Sequence, residues 1–251
     1  FEMAFPQTIM GKYGWEKVQT SGQKHKLGTR MTFDDGRVFR YCEVGGSDIA
    51  AGAIVQAPAG VANHDMDLAI ATAAAGVTQL TVTLGGTAAT KDQYKDGYIY
   101  VNDGTGEGSI YKIKSNAAGD SSGTCVITLD EEDGTVTAVT NGNTLVGLAV
   151  NPYSNVIISP TTVSNIAVGV APRALTSDYY GWLQTWGPAS VLCNAAGVIG
   201  EPVRVGGAST AGGFEDLDRD GSGENEQVIG HQMLIASVAT DYALIDLNIA
   251  P

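Results

Sequence analysis

Three aspartates spaced by two, Asp216, Asp218 and Asp220, followed by Gly221, carry the oxygen donors and the turn glycine with which an EF-hand loop begins to surround calcium. The match stops there. Gly223 stands where that loop needs an apolar side chain, Gln227 stands where it needs a bidentate glutamate, and no amphipathic helix flanks it. The trio is a weak metal candidate in an acidic surface loop. DGTGEGS at 103–109 shares only glycines with a phosphate cradle, lacking the GxGxxG order, the Lys-Ser/Thr ending and a following helix, so it reads as a hairpin loop. His25, His64 and His231 stand singly, outside any HxxxH or HExxH spacing. Cys42, Cys125 and Cys193 are odd in number and form no CxxC pair, so buried free thiols are expected. There is no GxSxG elbow. Acidic runs such as Asp34-Asp35 and Asp130-Glu131-Glu132-Asp133 fall in turns, where solvation denies a carboxyl the raised pKa of a general acid. The residues point away from an enzyme and imply no catalytic residue and no cofactor.

Charge is more informative than any motif. A net charge of −13 argues against a nucleic-acid binder that works by neutralising phosphates. The first 40 residues run the other way, with seven basic residues against four acidic ones, which leaves the remaining chain at −16. A basic segment ahead of an acidic body suits docking on an acidic partner surface. The same segment carries Phe1, Phe5, Tyr13 and Trp15, and it shows neither a helical nor a strand period. Residues 1–28 therefore read as an extended arm that buries its rings against a neighbour or against its own body. Its candidate binding residues are Phe1, Phe5, Lys12, Tyr13, Trp15, Lys17, Lys24 and Lys26, with Arg30 just beyond. No apolar run reaches the ~18 residues of a membrane span, and the first residues lack signal-peptide order, so a chain with no membrane partner is expected.

The elements behind the arm read as strands. Thr29–Val44 forms a hairpin around Asp35-Gly36. Further strand signals occur at Val77–Leu84, Gly97–Asn102, Ser109–Lys114, Cys125–Leu129, Val136–Val139, Thr144–Val150, Val198–Val205, Val228–Val238 and Tyr242–Leu247. Only residues 59–76 are ambiguous, their alanines suiting a helix capped by Asn63 or Asp65. The spacing of strands and turns predicts an all-β barrel or sandwich with an extended N-terminal arm.

The most aromatic stretch is Tyr179–Trp186, YYGWLQTW. As a regular strand it places Tyr180, Trp182, Gln184 and Trp186 on one face. Tyr180, Trp182 and Trp186 then read as residues of a core strand that Gly187-Pro188 ends, or alternatively as an exposed platform for sugar.

DGYIYVNDGTGEGSIYKIKSN, TLVGLAVNPYSNVIISP and VGVAPRALTSDYYGWLQTWGPASVL resemble head structural proteins of tailed, especially marine, phages. AGVIGEPVRV, VIGHQMLIAS and DYALIDLNI are similar to segments of small phage capsid decoration proteins, and FDDGRVFRYCEVGGSDIAAGAIVQA looks like the opening hairpin of such a chain. The resemblance implies a compact β-barrel body over residues 29–251; residues at about 60–165 depart from it, being longer than in the small decoration proteins, and look like an inserted β-hairpin region. It also implies a non-enzymatic virion protein, made in the host cytoplasm, that sits on the outer capsid surface and binds the major capsid protein and itself as a homotrimer. A carbohydrate-binding or host-adhesion module of the virion is the alternative.

Overall fold

The computed structural model describes residues 8–194, 197–206, 210–217, 227–236, 238 and 240–251, so Phe1, Phe5, Asp218 and Asp220 lie outside the described residues. The described chain is nearly all β. Its only helical turn is the 3-10 segment Trp15–Lys17. Two compact units divide it, one formed by residues 1–59 and 152–251 and the other by 60–151, so residues 152–165 belong with the first.

The first unit opens with β1 (Thr8–Met10), β2 (Arg30–Thr32), β3 (Val38–Glu43) and β4 (Ile54–Gln56). The second contributes β5 (Leu68–Ala69), β6 (Gln79–Thr83), β7 (Tyr98–Asp103), β8 (Ile110–Asn116), β9 (Thr124–Leu129) and β10 (Leu145–Ala149). The chain then returns to the first unit with β11 (Ile157–Ile158), β12 (Ala167–Val170), β13 (Tyr180–Leu192), β14 (Pro202–Val205), β15 (Phe214–Asp216), β16 (Val228–Leu234) and β17 (Tyr242–Asn248).

In the second unit the strands run β5-β10-β7-β8-β9-β6, and an antiparallel bridge from Ile70 to Val82 brings the two ends together into a nearly closed barrel. Period-two alternation builds its core. Leu80 and Val82 of β6, Ile99 and Val101 of β7, and Cys125, Ile127 and Leu129 of β9 point inward while their neighbours face out. The alanine-rich 59–76 stretch is no helix: Leu68–Ala69 pairs with β10, and Ala73 bridges Val139. Here strand pairing overrides the helical propensity of alanine. Val136–Val139, read as a strand, contributes only that bridge.

The first unit is an 11-stranded mixed sheet whose main path is β1-β2-β3-β13-β17-β16-β14-β15. The β2–β3 hairpin forms as expected, with Gly36 in the left-handed region and Phe33 donating its N–H to Arg37 at 3.0 Å. β13 organises the rest, pairing with β3 from Tyr180 to Trp186 and with β17 from Trp186 to Leu192.

Two sequence expectations fail on β13, for one reason. The ladder to β3 slips between Gln184 and Trp186: Gln184 lies opposite Phe39 and Trp186 opposite Val38, which leaves Thr185 as an extra residue. A bulge of this kind turns the following side chains to the other face. Trp182 is 6% exposed and Tyr180 half-buried, but Trp186 is 39% exposed and is not a core residue. Gly187-Pro188 does not end the strand. Gly187 adopts φ +78°, a conformation open to glycine, and Pro188 pairs opposite Asp246 as the strand runs on to Leu192. Because β3 pairing has stopped at Trp186, no strand on that side requires an N–H from residue 188. The buried Gln184 amide fills the gap, its Nε2 reaching the carbonyls of Trp186, Gly187 and Pro188 at 3.2, 3.2 and 2.8 Å.

Candidate functional site

From Thr8 onward the basic segment lies on its own body. β1 runs parallel to β2, and Gly11 donates to Thr32 at 2.9 Å, so close to Met31 and Phe33 that a Cβ there would overlap both side chains. Gly14, at φ +99°, then turns the chain into the 3-10 segment and donates its N–H to Glu16 Oε2 at 2.6 Å. That bond explains why Glu16 is buried although it is charged. Gln19 and Thr176 exchange two hydrogen bonds, Arg173 donates to the Lys17 carbonyl at 2.7 Å, and Thr20 and Tyr180 bridge at 2.9 and 2.8 Å. Farther on, Lys24 N–H donates to the Tyr41 hydroxyl at 3.0 Å.

The segment leaves two rings and four lysines exposed, and these residues are called the ledge below. Tyr13 is 61% exposed and Trp15 45%, and Lys12, Lys17, Lys24 and Lys26 are exposed. Tyr13 is nonetheless fixed. Its ring meets Phe33 edge-on at 5.3 Å, its hydroxyl donates to Asp34, which raises its pKa, and the Arg37 guanidinium lies 5.7 Å from its centroid. Such contacts reduce the entropy a side chain would lose on meeting a partner. Arg30, by contrast, is only partly exposed.

Tyr13 and Lys17 also line a groove of about 690 Å³ on the same unit, together with Glu16, Arg37, Gln184 and Tyr242, among others. Sequence reasoning missed Arg37, Gln184 and Tyr242. Arg37 had a signal in its basic character, but its position over Tyr13, Phe33 and Phe39 depends on the folded hairpin.

The aromatic strand is partly roofed by the same segment. His25 packs on Tyr41 and Trp182 at 5.1 and 5.6 Å, and Leu27 joins the cluster of Met31, Phe33, Phe39, Tyr41 and Trp182. Partial desolvation lowers the His25 pKa. Tyr180 donates to Glu43 at 2.8 Å, and burial, followed by that bond, pushes its pKa up to about 12. Tyr180, Trp182 and Trp186 therefore make no shared exposed platform.

The remaining candidates are dispersed. His64 is buried in the second unit, its Nε2 donating to the Thr87 carbonyl at 2.8 Å and its Nδ1 accepting from Tyr94. The three cysteines are buried and unbridged, with burial pushing the Cys42 thiol up to about 12. Burial raises the Asp216 carboxyl as well, but among the described residues no three His, Cys, Asp or Glu side chains are grouped to hold a metal. No family model matches the chain, nor does any curated protein or solved structure.

Proposed function

We propose that the protein is a non-enzymatic virion component that decorates the outer surface of an icosahedral phage capsid, docking on major capsid subunits through the ledge formed by Lys12, Tyr13, Trp15, Lys17, Lys24 and Lys26. The observation that carries this reading is that exposed rings and lysines are held on a fixed backbone in a chain that is otherwise strongly acidic. Aromatic anchors surrounded by complementary charge are what a specific protein interface uses for affinity and for orientation during encounter. Binding to purified capsids that lack this protein tests the proposal. Trp15→Ala combined with Lys17→Glu should abolish binding while leaving the circular dichroism spectrum unchanged, and undiminished occupancy would refute it.

A second reading, a glycan-binding or host-adhesion module, draws on the groove of about 690 Å³ with tyrosines in its wall. It predicts glycan-array binding that is lost in Tyr242→Ala.

A further inference from the structure

Beyond Trp186, every second residue of β13 turns its backbone groups away from β17. Cys193 donates its N–H to the Asp241 carbonyl at 2.9 Å at one end of that ladder, and Ile249 donates to the Thr185 carbonyl at 3.0 Å at the other. An antiparallel ladder alternates bonded and non-bonded pairs. The bonds from β13 to β17 therefore fall at Gly187, Ala189, Val191 and Cys193, while Pro188, Ser190 and Leu192 direct theirs to the opposite side. On that side β3 has stopped at Val38, opposite Trp186, and Gly52 takes over only at Leu192, whose N–H donates to its carbonyl at 2.9 Å. Among the described residues no strand fills the interval. Proline has no N–H, and the Pro188 carbonyl is met by Gln184 Nε2 at 2.8 Å. The Ser190 N–H has no partner among the described residues. An unpaired strand edge is a template for another chain.

Pro188 and Ser190 line the groove of about 690 Å³, together with Arg37, which precedes β3, and Gly52. Tyr242, about half exposed, also lines it, with its ring so close to Gly52 that a Cβ there would overlap it. Gly52 sits at φ +72°, so a glycine is what lets this wall stand. Glu16 brings a charge to the same groove. It is 5% exposed and accepts the Gly14 N–H on Oε2, whereas its Oε1 has no hydrogen-bond partner among the described residues and keeps accessible surface. A carboxylate oxygen so nearly buried calls for a donor from outside.

We infer that the groove binds an extended peptide segment of a partner protein, which lies along β13, accepts a hydrogen bond from the Ser190 N–H and offers a lysine, serine or threonine side chain to Glu16. Main-chain bonds of this kind supply affinity, and the side chains around them supply selectivity. The site is independent of the ledge, and it gives to a peptide the groove that a glycan-binding module would give to a sugar.

The test is selection of a displayed library of random heptapeptides on the full chain. Enriched peptides should share one position rich in lysine, serine or threonine. Ser190→Ala, which keeps the N–H, should capture them as the parent does. Ser190→Pro removes that donor without touching a bond to β17, so it should leave Tm unchanged and capture them about tenfold less well. If Ser190→Pro does not fold, hydrogen exchange in the unaltered chain decides. A saturating selected peptide should slow exchange of the Ser190 N–H about tenfold and leave Ala189 and Val191, already bonded to β17, unchanged. A library that yields no binder, binders that Ser190→Pro captures as well as the parent does, or a Ser190 N–H whose exchange ignores the peptide would overturn the inference. Glycan-array binding lost in Ser190→Pro, with no peptide enriched, would overturn it in favour of a sugar.

Discussion

Trp182 and Trp186 lie four residues apart on one strand, yet the first is 6% exposed and the second 39%, because Thr185 bulges out of the ladder between them. Trp182→Ala should therefore cost about 3–5 kcal/mol, as for a large aromatic removed from a packed core. Trp186→Ala should cost less than about 1 kcal/mol. Urea denaturation of the two variants measures the contrast, and equal losses would mean that the bulge does not divide the strand.

Gln184 is the side chain on which that bulge depends. Its amide serves the carbonyls of residues 186–188, where β3 no longer does. Gln184→Leu keeps the bulk but leaves buried acceptors unmet, so a loss of about 1–3 kcal/mol is expected. Hydrogen exchange should accelerate at the β13–β17 junction in the same variant.

The His64–Tyr94 pair supplies a prediction confined to the second unit. Since Thr87 offers only an acceptor, His64 carries its proton on Nε2 and receives the Tyr94 hydroxyl at Nδ1. Tyr94→Phe should destabilise by about 1–3 kcal/mol. Adding His64→Phe to Tyr94→Phe should then cost less than His64→Phe does alone, a coupling that a double-mutant cycle reads directly.

Alkaline pH should unfold the protein in a defined window. Burial raises Cys42 from 9.0 to about 12 and, with Glu43, raises Tyr180 from 10.0 to about 12. Both groups keep their protons to higher pH in the folded chain than in the unfolded one. The stability they contribute is thus complete below pH 9 and is lost as pH rises toward 12. The slope of stability against pH in that window should flatten in Cys42→Ala/Tyr180→Phe.

The ledge makes its own prediction, which differs from what a free arm would give. Because Leu27 and His25 cover Trp182 and Tyr41, deleting residues 1–27 should destabilise the body as well as remove the binding residues. Reversing the charge of Lys12, Lys17, Lys24 and Lys26, all exposed, should instead leave Tm within about 2 °C while removing capsid binding. Binding by the parent chain should weaken steeply with added salt.

Alternation and turn residues determined the fold class by themselves. Leu80 and Val82, or Ile99 and Val101, can be assigned to an interior from period two alone, and Asp35-Gly36 places a hairpin, because both signals act between residues close in sequence. The lysines and rings of residues 12–26 were legible as composition, but the exposure of Tyr13 and Trp15 was not, since from the sequence alone those rings read as buried. Tertiary structure decided everything that depends on which strand lies alongside. The bulge at Thr185 exists because β13 leaves β3 for β17, and no property of YYGWLQTW encodes that change of partner. The closure of the second unit through Ile70 and Val82, the groove lined by Tyr13 and Tyr242 and the unpaired edge at Ser190 likewise arise only when distant segments are set in register.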